Sequence, residues 1–256
     1  MSLSRLTMRI AAARALRGAT LAEDRVFDSA IDPLDHAIAE DRRPLIVVYT
    51  DDHSTELRGR AAESGPAECA LILEVAIASR VLMPGGVGDV EIAIPHTDEG
   101  LELSLDIIEH QAVAALARGH SQWSRVWQGL VPRITQRQSV RAASTENGVR
   151  FAARQVRIAC DLTEAPMPGK ALPEGGAWAP ALAALEADPD LEALAGIIRA
   201  LIEGETVADW RRAAAALGIS TDAAAGLGIA PASGPDDDLT LADEGEAYWS
   251  APDGGE

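Results

Sequence analysis

RITQRQSVRAASTENGVRFAARQVRIACDL, residues 133–162, is the stretch whose reading decides the fold. Asn147-Gly148 supplies two consecutive residues that tolerate positive φ, as the tight turns of a β-hairpin require. The pattern predicts a hairpin over residues 133–161. On its first arm Arg133, Thr135, Arg137, Ser139 and Arg141 alternate onto one face, the period of a strand. The second arm contributes Arg150, Arg154 and Arg157 and closes on the apolar Val156, Ile158 and Cys160. This arm alternates poorly, so its pattern does not set the register.

Upstream, SQWSRVWQGL (121–130) reads as a short helix with Trp123 and Trp127 one turn apart. Residues 98–117 read as a long helix. Leu101, Leu105, Ile108 and Ala112 recur at spacings of four, three and four, which makes a one-sided core stripe. Glu99, Glu102, Asp106 and Glu109 form a parallel acidic stripe. Asp98 and Glu99 sit near the positive end of the helix dipole, which favours them. CALILEVAIASRV (69–81) reads as a long strand whose face of Leu71, Leu73, Val75 and Ile77 is the more apolar. LIVVYT (45–50) reads as a buried strand, and DDHSTELRGRAAESGPAE after it as a loop or irregular hairpin. PGGVGD reads as a turn and VEIAIP as a short strand. Val26 and Phe27 start a further short strand.

The first residues, MSLSRLTMRIAAARALRGA, are Arg-rich, amphipathic and free of acids, a composition shared with transit peptides. They also suit a first structural helix, with Leu3, Leu6, Ile10 and Ala13 on one face and Gly18 as a stop. No apolar run approaches the ~18 residues needed to cross a membrane.

Downstream of the hairpin, TEAPMPGKALPEGG reads as a Pro/Gly linker. Three helical patterns follow, on Trp178, Leu182 and Leu185; on Leu191, Leu194, Ile198 and Leu201; and on Val207, Trp210, Ala214 and Leu217. Residues 236–256 read as an acidic extended tail, with Tyr248 and Trp249 as an aromatic anchor for a partner. The expected architecture is therefore α+β: a central, mostly antiparallel sheet flanked by helices (1–165), a small C-terminal helical appendage (166–235) and the tail.

The net charge of −18 argues against general nucleic-acid binding and against docking to anionic lipid. The charge is unevenly spread: residues 121–170 carry +5 and residues 171–256 carry −14. Such asymmetry suggests either complementary surfaces or local clustering on a solvated surface. Lys170 is the only lysine; Arg is the better interface residue, because its planar fork pairs bidentately with carboxylates. Cys69 and Cys160 lie in strand-like apolar segments and read as reduced, buried thiols; no metal or redox spacing involves them.

No phosphate-cradling loop, nucleophile elbow or HExxH motif is present, so the reading is of a non-enzyme with no cofactor and no resident metal. The strongest contrary signal is a polar cluster, Asp51, Asp52 and His53, directly after a strand. With His96 it could hold a divalent metal for a hydrolase. LGIS (217–220) is turn-like in the manner of a helix-turn-helix, but the helix after it has no Arg, Lys, Asn or Gln to read bases.

Three readings compete for the arginine hairpin: a solvated edge that discourages aggregation, contact with phosphates, or contact with an acidic surface of a neighbouring copy. The sequence favours the third. The expected interface set is Arg133, Arg137, Arg141, Arg150, Arg154 and Arg157 against Glu99, Glu102, Asp106 and Glu109. A ring of identical subunits needs two different, complementary faces of this kind.

The ordered set of elements over residues 3–165 resembles the tail terminator (tail completion) proteins of long-tailed bacteriophages and gene transfer agents. The set comprises the N-terminal helix, RVFDSAIDPLD, the strand PLIVVYTDD, the long strand LILEVAIASRV, the long helix, the Trp-containing helix and the hairpin. The resemblance implies a hexameric ring, without enzymatic activity, at the tail-neck junction of a virion assembled in the host cytoplasm. Its partners would be itself, the tail tube protein and a neck protein, with DNA only as passing cargo in the lumen. A stopper or adaptor of the same neck shares every compositional feature.

Overall fold

The computed structural model describes residues 2–29, 43–56, 65–80, 98–146 and 149–204. Five helices and five strands are found among these residues. Residues 1–207 make one compact unit. PGGVGD, VEIAIP, His96, the third C-terminal helical pattern, LGIS, Tyr248, Trp249 and the acidic tail lie outside the described residues.

The chain enters through α1 (Leu3–Leu16), whose first turn is capped by Ser2 accepting from the Arg5 amide. Gly18 follows at φ +67°, a conformation that costs other residues a Cβ clash. Most of α1 is buried, including Met8, Ile10, Ala11, Ala12, Ala15 and Leu16. Its alanines let neighbouring elements approach closely.

Strand β1 (Val26–Asp28) runs parallel to β2 (Leu45–Thr55). Strand β3 (Ala67–Arg80) is antiparallel to β2 and to β5 (Val149–Leu162), and β5 pairs antiparallel with β4 (Arg133–Glu146). The sheet order is β1-β2-β3-β5-β4. The α+β class and the mostly antiparallel sheet match the expectation. The hairpin pairing runs to Glu146 opposite Val149; Asn147 and Gly148 themselves lie outside the described residues.

Helices α2 (Asp98–Arg118) and α3 (Gln122–Leu130) connect β3 to β4. Ser121 caps α3 by accepting from the Ser124 amide at 3.0 Å. The junction between the two helices is tight: a Cβ on Gly119 would sit 2.2 Å from the Ala115 carbonyl oxygen. Gln128 closes it by donating to the carbonyls of Leu116 and Gly119. The core stripe Leu101, Leu105, Ile108 and Ala112 packs on the sheet face made by Ile46, Val48, Leu71, Leu73, Val75, Ile77, Val156 and Ile158. Trp127 is 1% exposed at the centre of α3. Apolar burial of this kind supplies most of the driving force, at about 25 cal/mol per Å².

One expectation is settled and one changes. Of the two readings of the segment from Asp51, the irregular hairpin holds: β2 continues through Thr55 antiparallel to β3, carried across by a bulge between Thr50 and His53. The division near residue 165 is not a break in packing. Helices α4 (Trp178–Ala187) and α5 (Glu192–Glu203) contribute Trp178, Leu182, Leu185, Ile198 and Ile202 to the same core cluster as α1 and α3. The linker between is pinned at both ends of the contact. Ser4 donates to the Thr163 carbonyl, the Thr163 amide donates to Leu130, and Trp178 Nε1 donates to the Glu164 carbonyl. Arg14 of α1 meets Asp188 and Asp190 just beyond α4.

Candidate functional site

Successive side chains of a strand point to opposite faces, so register decides which arginines share a surface. Arg137, Ser139 and Arg141 lie opposite Ile158, Val156 and Arg154, which places them on the helix-bearing face. Arg133 does not join them. A bulge between Ile134 and Gln136 inserts one extra residue, so Arg133 falls opposite Asp161 and pairs with it at 2.7 Å on the other face. The expected single row from Arg133 to Arg141 is thus split. Arg154 and Arg157 are split too, by three residues of strand period. The side chain of Arg150 lies outside the described residues.

On the helix-bearing face, the arginines meet the acidic stripe of α2. Arg154, whose side chain is 13% exposed, is held by three carboxylates: Glu102 at 2.9 Å, Glu109 at 3.3 Å, and Asp106. Arg141 pairs with Glu102, Arg137 Nε lies 3.9 Å from Glu109, and Ser139 donates to Glu109 at 2.7 Å. Burial opposes the charge on Arg154, but hydrogen bonds and charge from Asp106 and Glu109 outweigh it and push its pKa above the ordinary value. The pairing expected between copies is therefore made inside one chain for Arg137, Arg141 and Arg154 against Glu102, Asp106 and Glu109. The clasp pairs arginines of the basic stretch 121–170 with carboxylates of α2, not with the acidic residues 171–256. Glu99 is exposed on the same helix.

The opposite face carries a second polar set. Arg157 donates to Asp51 at 2.8 Å and to Asp52. The hydrogen bond that Arg157 donates to Asp52 leads, with the one to Asp51 adding to it, in pushing the Arg157 pKa upward. Beside them, Tyr49 donates to Glu74 at 3.1 Å, and Gln155 donates to both. Burial first, and the Glu74 charge second, raise the Tyr49 pKa, so the phenol keeps its proton and remains the donor. This trio carries no sequence signal, since its members stand 25 and 106 residues apart. Buried apolar side chains, Leu45, Val47, Ile72 and Ala76, surround it in the register.

The bulge in β2 also separates the proposed metal ligands. Asp51 and Asp52 are engaged by Arg157, while His53 lies opposite Cys69 on the helix-bearing face, with Nε2 3.1 Å from Thr55 Oγ1. Burial, and then the charge of Arg5, lower the His53 pKa. Among the described residues no three His, Cys, Asp or Glu side chains group as a metal site.

Cys69 and Cys160 are buried, free and directly opposite each other on β3 and β5. Burial pushes Cys69 up to about 11 and Cys160 up to about 12, with Cys160 donating weakly to the Cys69 carbonyl. Thiols held protonated in this way are poor nucleophiles.

No helix among the described residues is long and apolar enough to cross a membrane. No family model matches this chain, and no curated protein matches it.

Proposed function

We propose that the chain is a structural assembly protein, a tail terminator whose ring caps a phage-type tail tube and joins it to the neck. The observation that carries this reading is the element order. An N-terminal helix, a short strand, two long strands, a long helix, a Trp-bearing helix and a hairpin with two 14-residue arms follow one another in the sequence expected of that family. The function is geometric: one face of the ring meets tube subunits, the other meets the neck, and the lumen passes DNA. The hexamer, the tube and neck partners and the location in the virion all belong to this proposal.

The polar groups found are consistent with a structural role. Arg154 and Arg157 are each tied to carboxylates of their own chain, which stiffens the hairpin against α2 and β2. A metal-dependent hydrolase is the less favoured reading, because Arg157 already engages Asp51 and Asp52 while His53 sits on the other face. Calorimetry with Mg²⁺, Mn²⁺ and Zn²⁺ separates the two: tight, stoichiometric binding lost in Asp51→Asn would restore the hydrolase reading.

The direct test is negative-stain microscopy and sizing of the purified protein, alone and mixed with tube protein. Rings, free or on tube ends, are the expected result. A protein that stays monomeric in both conditions refutes the proposal. A low-resolution particle map then distinguishes a terminator, touching the last tube ring, from a stopper or adaptor on the portal side.

A further inference from the structure

We propose that copies of this chain join head to tail by strand addition. The free edge of β4 in one copy pairs with the part of β2 that β1 leaves uncovered in the next. The inference rests on the ring reading and adds to it the surfaces that make the joint.

Strand β4 ends the sheet, and every residue from Arg133 to Arg141 is exposed. A free edge presents a row of unpaired amides and carbonyls, and proteins that stay monomeric guard such edges with Pro, Lys, bulges or charge. Strand β4 contains no Pro and no Lys, and its one bulge lies at the start, between Ile134 and Gln136. Its central charges are poor guards, because Arg137 and Arg141 reach Glu109 and Glu102 of α2. Val140, 61% exposed, stands in the middle of the edge. The segment Gln136–Arg141 is therefore straight and exposed, and its arginines are only partly neutralised, at 50% and 59% exposure for Arg137 and Arg141.

Among the described residues the other open edge belongs to β2. Strand β1 pairs only with Ile46, Val47 and Val48. Among the described residues no strand pairs with the outer edge of Tyr49–Thr55. Seven residues remain there, in two regular pieces, Tyr49–Thr50 and His53–Thr55, on either side of the bulge at Asp51-Asp52. Their exposed side chains are acidic: Asp51 is 58% and Asp52 78% exposed, against 59% for Arg141 and 71% for Arg133 on β4.

The signs of the two edges select the partner. Two β4 strands paired antiparallel about Ser139 would put Arg137 opposite Arg141 twice, which is unfavourable. Pairing β4 with the acidic end of β2 opposes unlike charge. The two edges lie on opposite sides of one sheet, so the contact is heterologous and repeats, closing into a ring when the rotation per copy permits. Closure also removes both edges.

Full-length chains carrying Gln136→Cys, Gln138→Cys or Val140→Cys are each mixed with a chain carrying Ser54→Cys, with tube protein present, and oxidised with copper-phenanthroline. The buried native cysteines are spectators. A mixed disulfide dimer in at least one mixture is expected. In parallel, Val140→Lys is expected to lower the ring fraction about tenfold or more while the unfolding temperature stays within about 2 °C of the parent. Rings that survive Val140→Lys and give no mixed cross-link overturn strand addition but leave the ring reading standing. A disulfide dimer from the Val140→Cys chain alone also overturns it, in favour of β4 self-pairing. Absence of rings from the parent chain, with and without tube protein, overturns both.

Discussion

Replacing Arg154 by Met tests whether the acidic stripe of α2 is held in place by the hairpin. The substitution keeps most of the aliphatic stem and removes only the guanidinium, so packing loss is small. It leaves Glu102, Asp106 and Glu109 clustered, with Glu109 13% and Glu102 28% exposed. Exposed ion pairs contribute about 0–1 kcal/mol, and breaking a fully buried one costs about 3–5 kcal/mol. Arg154 lies between these limits but nearer the buried one, since its own side chain is 13% exposed. Its loss should therefore cost about 2–3 kcal/mol. For a compact unit of roughly 200 residues that is a fall in Tm of about 4–12 °C. Without the guanidinium, Glu102 keeps Arg141 and Glu109 keeps Ser139, but Asp106 and Glu109 lose their closest cation. Adding Glu109→Gln should recover part of the loss at neutral pH. The assay is thermal unfolding by circular dichroism. A Tm within about 1 °C of the parent at pH 7 would refute the clasp as a stabilising element.

Four further outcomes follow from the packing. Trp127→Ala should cost about 3–5 kcal/mol and abolish cooperative unfolding or solubility. Trp127→Phe should cost far less, because the buried Nε1 has no acceptor to lose; equal losses would contradict this. Arg14→Ala should cost about 2 kcal/mol, since it strands the half-buried Asp188, and a chain ending at residue 165 should aggregate rather than fold, because α4 and α5 complete the core. A soluble, cooperatively folding truncation would show the helical pair to be separable. The native thiols should be unreactive to Ellman's reagent at pH 8 and fully reactive in guanidinium. Their folded pKa values are raised, so the stability they confer is present below the unfolded value of 9.0 and declines as pH rises toward 11 and 12. Rapid native labelling would contradict their burial.

The assembly reading is a proposal that rests on element order, and the surfaces proposed for it are not the ones the charge pattern suggested. Of the arginines that looked available to a neighbour, Arg133, Arg137, Arg141, Arg154 and Arg157 are ion-paired at home. What remains open on the described surface is backbone: the outer edge of β4 and the uncovered end of β2.

Local pattern was sufficient for the elements themselves. The four-three-four stripe of α2, the odd-numbered apolar face of β3, the Trp-bearing α3 and the hairpin about Asn147-Gly148 were all legible, because helix and strand periods are written in neighbouring residues. For DDHST the pattern left loop and irregular hairpin undecided. That segment is polar, and it is drawn into β2 by Glu68 and Cys69 across the ladder rather than by its own propensity. The faces of Arg133 and Arg157, the clasp of Arg154, the Tyr49–Glu74–Gln155 trio and the union of α4 and α5 with α1 were decided only by the tertiary structure. Each depends on a bulge or on contacts between segments far apart in the chain, and a one-residue shift in register turns every following side chain to the other face of the sheet. Sequence thus determined which elements form; long-range register determined which charges meet.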